Sequence, residues 1–280
     1  MNFWNIMEKQ MQMLEIIKWE LERRKVTIFW WTIGSIILTA TILTLYPPIR
    51  DQAAQMNQVI NQLPPELRNL KAGGINKIDV GNPEQFLNSQ LFYATLPIIW
   101  IILSITRGNS ILGKEETDHT LELLLSRPIS RIRLLLAKAM SLFFEMLIVG
   151  GLTTILVLVL CPIFDLHVAN SRLISVSFFT LIFCLSFGYI VFVLNAISQT
   201  TRKIATIIGV VASFGGYILS SFSGLTDWLQ QLIKIFPFHY FSPLSILNGD
   251  VSKGLVLYLV AIYVFGTILA IAGFNRRDIN

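Results

Sequence analysis

Charge is what this sequence has least of. Only 14% of its 280 residues are charged and 54% are hydrophobic, whereas an average soluble domain carries roughly a quarter charged residues. With a mean hydropathy of +0.63, too little polar surface remains to coat a water-soluble globule, so lipid has to cover part of the chain. Cysteine is scarce too. Cys161 and Cys184 sit inside apolar runs, without the paired spacing of a metal site or a disulfide framework, and read as packing residues. Histidine is limited to His119, His167 and His239, with none of the helical spacing of a zinc site such as H-E-x-x-H, so no metal site is expected. No G-x-S-x-G elbow stands out, nor any nucleophile and base pair, and no catalytic residue is assigned. The net charge of +5 does not call for nucleic acid. Basic patches interleaved with aromatics on a polar surface are absent, and spanning proteins retain Lys and Arg on their cytoplasmic flanks. Nor is a cleavable signal peptide visible, because Glu8, Lys9, Glu15, Lys18, Glu20 and Glu22 interrupt the first 25 residues.

Long apolar runs are what the chain does have. A spanning helix needs about 20 mostly apolar residues, because no water in the hydrocarbon core can satisfy a free backbone amide. Six runs qualify: Val26 to Tyr46, Leu91 to Thr106, Ser141 to Phe164, Leu173 to Ile197, Ile204 to Phe222 and Leu255 to Phe274. The expected fold class is an all-α membrane protein with about six transmembrane helices. The second run is the shortest, and Pro97 within it predicts a kink. If the amino terminus is cytoplasmic, 15 Lys and Arg fall on inner segments and 7 on outer ones, so both termini are expected inside. An even number of spans agrees.

Ahead of the first run, Met7, Met11, Leu14, Ile17 and Leu21 recur at helical steps. This pattern predicts an amphipathic elbow helix over residues 1–25, lying on the inner membrane surface before a transmembrane domain of 26–280. A plain soluble helix is the alternative; the adjacent Arg23, Arg24 and Lys25 favour the surface.

Three polar segments remain. Residues 47–90, punctuated by prolines and glycines, predict a small extracellular cap of short helices and turns. Residues 223–253, also outside, hold Trp228, Phe236, Phe238, Tyr240 and Phe241, which suit either a re-entrant segment or an aromatic belt. Residues 107–140 form the inner segment. Within the spans, Glu145 is the one ionisable candidate, and it reads as an anchor near the inner headgroups or a partner of Lys138 rather than a transport residue.

The inner segment opens on a decoy. Gly108 to Lys114, G-N-S-I-L-G-K, matches a phosphate-binding loop up to its lysine. That loop then needs a Ser or Thr and must follow a buried strand; here Glu115 comes next and a membrane span comes before. Beyond it, Glu115, Glu116, Asp118 and Glu122 accompany an apolar patch of Leu121, Leu124 and Leu125, stopped by Pro128. A short amphipathic helix of this kind can be received in a groove of a soluble partner, or can merely pack on its own protein.

The stretch Glu116 to Arg131, E-T-D-H-T-L-E-L-L-L-S-R-P-I-S-R, followed by Leu136 and Lys138, resembles the signature of the ABC-2 type permeases. These are the membrane subunits of ATP-driven exporters, and the six-span bacterial type with a separate ATPase is the nearest in pattern. The amphipathic amino-terminal helix, the prolines and aromatics from Phe236 to Leu244, and Arg277 with Asp278 are similar as well. One departure is His119, where the family commonly has glycine.

The resemblance implies a type V exporter-like fold in a bacterial plasma membrane. It implies two permeases, identical or related, packed with two ABC ATPase subunits. Glu115, Glu116, Thr120, Leu121, Glu122, Leu124 and Leu125 would contact the ATPase, and Arg127, Pro128, Ser130 and Arg131 would shape the turn back to the third span. ATP and magnesium would sit on the partner, with no cofactor on this chain. The substrate implied is hydrophobic or amphipathic: a peptide, an antibiotic or a lipid-linked molecule. Two other functions stand beside it. One is an integral-membrane enzyme acting on lipid near Asp165, His167 and His239; the other is a non-transporting scaffold or immunity factor that sequesters a toxic peptide.

Overall fold

The computed structural model describes residues 3–62, 79–117, 130–198, 202–222 and 227–276. Seven helices organise it: α1 (Phe3–Arg23), α2 (Lys25–Thr44), α3 (Leu96–Thr117), α4 (Arg131–Ile163), α5 (Asn170–Ile197), α6 (Arg202–Val210) and α7 (Lys253–Arg276). Among the described residues there is no strand. Six stretches are long and apolar enough to cross a membrane: Lys25–Asp51, Pro83–Gly113, Arg131–Ile163, Asn170–Ile197, Lys203–Phe222 and Lys253–Arg276.

Two of these begin earlier than hydropathy places them. The second starts at Pro83, and it enters α3 through a π-helical stretch, Leu87–Thr95. Pro97 has no N–H to return to the carbonyl four residues back, and the chain just ahead of it widens, with the Leu96 N–H reaching Leu91. The predicted kink is therefore a π-helical widening ahead of the proline. The third starts at Arg131 rather than Ser141. Ser130 caps it, its hydroxyl accepting the Arg133 N–H at 3.4 Å. A 3.6-residue period does not stop at a charged side chain that finds a buried partner, and Lys138 finds one.

α5 is the axis. In its apolar window 78% is buried, against 17% for α7, so α5 is the helix enclosed by the others and α7 an outer one. Without a hydrophobic force between helices in lipid, close approach and polar contacts hold such a bundle. Both occur here. A Cβ on Gly188 would collide with the Ser104 backbone, and one on Gly108 with the Gly188 carbonyl, so α3 and α5 touch backbone to backbone. At that crossing Ser104 donates to the Leu185 carbonyl at 3.2 Å and accepts the Gly188 N–H at 3.1 Å. On the other side of α5, Tyr263 donates to the Ile182 carbonyl at 2.8 Å, and the hydroxyls of Tyr189 and Thr267 lie 2.6 Å apart.

At the bundle end away from α1, Arg50 Nη1 lies 3.0 Å from Asp165 Oδ2, tying the first span to the turn between α4 and α5. The first span ends in a short helix, Tyr46–Asp51, and another short helix follows at Ala53–Gln62. The aromatic segment before α7 folds as short helical turns. Phe238 and Phe241 are buried against Phe183 of α5, with ring centroids at 4.9 and 4.2 Å, while Trp228 is exposed. Cys161 and Cys184 are buried in the core with free thiols.

Candidate functional site

The distinctive chemistry gathers where α1 meets α3 and α4. α1 packs Ile16 and Ile17, flanked by Met13 and Leu21, onto Leu134 and Ala137 of α4. This face is rotated from the expected stripe. Leu14 is 59% exposed, while Glu20, one turn on from Ile16 and Ile17, is 3% exposed. The helix turns Glu20 inward because two cations wait there.

Glu20 Oε2 lies 2.5 Å from Arg107 Nη2 of α3, and Glu20 Oε1 lies 2.5 Å from Lys138 Nζ of α4. Arg107 then reaches a second acid, its Nε 2.6 Å from Glu145 Oε2. That contact is an ion pair without the alignment of a hydrogen bond. Arg24, at the junction of α1 and α2, completes the set: its Nε is 3.9 Å from Glu145 Oε1, and its Nη1 donates to Ser110 at 2.8 Å. Glu145, expected either near the inner headgroups or beside Lys138, pairs with Arg107 and Arg24. Lys138 and Glu145 stand seven residues apart, about 10 Å along the helix, and the fork of Arg107 fits between the two acids. A guanidinium suits that bridging role as an ammonium does not.

The electrostatics follow from burial. Moving these charges out of water is expensive unless each is paired, and removing one partner from a buried pair costs more than the pair contributes. Burial alone would raise the Glu20 carboxyl, but Lys138 and Arg107 outweigh it and hold that carboxyl below the ordinary carboxylate range. Arg24 moves down from the usual arginine value, first through burial and then through the like charge of Arg107; Glu145 offsets only part of this. On the far side of the same helix end, Asn195 of α5 donates to the Gly108 carbonyl and to Asn109, at 3.4 and 3.2 Å.

Glu115 and Glu116 fall in the last turn of α3, and Arg131 opens α4 after the Ser130 cap. Thr120, Leu121, Glu122, Leu124, Leu125, Arg127 and Pro128 lie outside the described residues, as does His119. Gly108 to Lys114 is continuous α-helix, so its amides are spent on the helix rather than turned toward a phosphate. Asp165 is engaged with Arg50, and a His167 ring nitrogen lies 3.0 Å from the Asp165 carbonyl. Among the described residues no bond joins His239 to either. Sequence reading missed the roles of Glu20 and Arg107. A signal for the first was present: an acid three and four residues after Ile17 and Ile16, inside the apolar arc.

Five apolar spans packed with α5, and the buried charges of the described residues gathered as ion pairs where α1 meets α3 and α4, define an integral multi-pass membrane protein. The family model for the ABC-2 family transporter protein matches residues 11–274, nearly the whole chain. The chain belongs to this family and is a transport permease of the ABC-2 type. Such permeases are membrane components without an ATPase site of their own, and the family implies an ABC ATPase partner in general. No curated protein matches the sequence.

Proposed function

We propose that this chain is the permease subunit of a bacterial ABC exporter, working as a homo- or heterodimer of permeases in the plasma membrane with both termini cytoplasmic. The segment 114–131 docks on a separate ATPase, which holds the ATP and magnesium, and this chain binds no cofactor. The substrate class is a hydrophobic or amphipathic molecule such as a peptide, an antibiotic or a lipid-linked compound.

One observation carries this reading. The two helices that lead into and out of 118–129, α3 and α4, are joined at that end by Arg107, Glu20, Lys138 and Glu145. A load applied to the segment therefore reaches both helices through charges that cost several kcal/mol to separate. The leucines at 121, 124 and 125 supply an apolar face for a groove.

The test is the double substitution Leu121→Asp, Leu124→Asp. Two carboxylates forced into an apolar groove weaken docking by at least about tenfold. Expected are loss of the co-purified ATPase and of ATP-driven transport, with unchanged gel-filtration behaviour in detergent. Wild-type retention of the ATPase by this variant overturns the assignment.

A further inference from the structure

The bundle end away from α1 holds an aspartate where the backbone asks for a glycine. α4 closes with two nested bonds, from the Leu166 N–H to the Cys161 carbonyl at 2.8 Å and from the Asp165 N–H to the Pro162 carbonyl at 3.4 Å. A cap of this kind puts the residue after the helix end in the left-handed region, which is why glycine usually stands there. Here that residue is Asp165, with φ +59°, and among the described residues it is the one non-glycine with a positive φ. Aspartate tolerates the conformation at a cost that glycine escapes. The turn therefore gives no reason for a carboxylate. Its contact does: Asp165 Oδ2 lies 3.0 Å from Nη1 of Arg50.

Arg50 belongs to the short helix that ends the first span, 115 residues away in sequence, and its Nε and Nη2 also reach Asp51 at 3.2 Å. The pair joins the first span to the turn between α4 and α5. Between that end and the buried cluster, α2 buries Thr32, Ser35 and Thr39. Thr32 bonds within its own helix, to the Ile28 carbonyl, and among the described residues the hydroxyls of Ser35 and Thr39 have no hydrogen-bond partner. These side chains do not tie α2 to a neighbour. The two ends differ in kind. Glu20, Arg107, Lys138 and Glu145 have side chains at most 4% exposed and are costly to part, whereas those of Arg50 and Asp165 are 39% and 58% exposed, and water replaces such a partner cheaply.

We infer that Arg50 and Asp165 form a latch. It holds the first span against the turn between α4 and α5 in this conformation, and it opens while the buried charges at the opposite end stay paired. The first span then swings about the cluster, and its Arg50 end moves furthest. The latch is weak because it has to open, and an aspartate stands at a glycine position because the latch requires its charge.

The experiment uses the full-length protein in lipid nanodiscs, spin-labelled at Gln52→Cys and Ser171→Cys, exposed positions on either side of the latch; the native thiols of Cys161 and Cys184 are buried. Distance distributions are read by electron paramagnetic resonance. Asp165→Asn keeps a residue tolerant of the left-handed turn and removes the charge. It is expected to raise the ratio of long to short distances by about two- to fivefold, the range of an exposed ion pair. Molar salt should do the same to the wild type and nothing further to Asp165→Asn. Arg50→Gln should reproduce Asp165→Asn, and the double variant should add nothing to either; Arg50→Gln carries the test if Asp165→Asn does not fold. Asp165→Gly should open the latch equally and unfold at no lower temperature than Asp165→Asn. An unchanged distribution in the charge-removing variants, or equal salt sensitivity in variant and wild type, overturns the latch. Unfolding of Asp165→Gly below Asp165→Asn overturns the reading of the turn.

Discussion

Arg107→Met separates the two parts of the ionic cluster. The substitution keeps an unbranched apolar stem and removes the charge between Glu20 and Glu145. Glu20 retains Lys138 at 2.5 Å, but Glu145, 0% exposed, is left with Arg24 at 3.9 Å and no close cation. Removing one member of a buried pair costs roughly 3–5 kcal/mol; the residual attraction of Arg24 puts this case near the lower end, about 3 kcal/mol. In a chain of this size about 1 kcal/mol moves the unfolding midpoint by roughly 2–4 °C, so a fall of at least about 6 °C is expected. The double variant Arg107→Met, Glu145→Met takes out both charges of the pair and leaves Glu20 with Lys138 intact. It should recover at least about 1 kcal/mol relative to the single variant, about 3 °C, because no uncompensated carboxylate remains. The assay is thermal unfolding of detergent-solubilised protein, followed by the fraction still monodisperse on gel filtration. A double variant no more stable than Arg107→Met refutes the reasoning, because the cost would then lie in lost packing rather than in an orphaned charge. Transport by a stable double variant also separates the two readings of Glu145: an anchor is dispensable once its partner goes, a transport residue is not.

Acid should loosen α1 late. The Glu20 carboxyl is held below its ordinary range, so its contribution is complete above the unfolded value of about 4.3. It is lost only as pH falls through the lower folded value; hydrogen exchange in residues 13–23 should stay slow to that point and then accelerate, and Glu20→Gln should abolish the transition. Gly188→Ala has no space on α3, where its Cβ would meet the Ser104 backbone, whereas Gly151→Ala meets nothing within 4 Å. The first is expected to cost about 1–3 kcal/mol and the second nothing comparable, both read by thermal unfolding; similar midpoints would mean that α3 and α5 are not in backbone contact.

Six spans were legible because hydropathy asks nothing about partners: a helix such as α7 is apolar on every side and must meet lipid or protein. Their ends were not. Arg131, Arg133 and Lys138 count as loop residues in a window average, yet α4 runs through all three, and Lys138 is buried with Glu20 at a separation of 118 residues. Nothing in a local pattern pairs those two. Arg107 was assigned to a soluble segment for the same reason, although it lies 3% exposed between two acids. The residues proposed to dock show the converse. Leu121, Leu124 and Leu125 form a contiguous pattern that sequence displays directly, and their neighbours Glu116 and Arg131 are placed by α3 and α4.

The joints around that segment differ in stiffness, and the difference sets what a motor could move. α3 is held to α5 by backbone contact at Gly108 and Gly188 and by Asn195, while α4 is held to α1 and α3 by the buried charges. A displacement entering at 118–129 would have to carry α1, α3, α4 and α5 nearly as one body, since separating any pair of them exposes charge or breaks close packing. α6 has no such tie. Only 28% of its span is buried, its course is interrupted by a π-helical turn at Val211–Gly215, and an apolar cavity of about 540 Å³ lies against Ile207, Val210 and Val211. The outward face of this span leaves Ile204, Ile207, Ile208 and Val211 exposed. Those side chains have no covering among the described residues. In the proposed assembly the second permease or lipid would supply it, and substitutions on this face would test which of the two does.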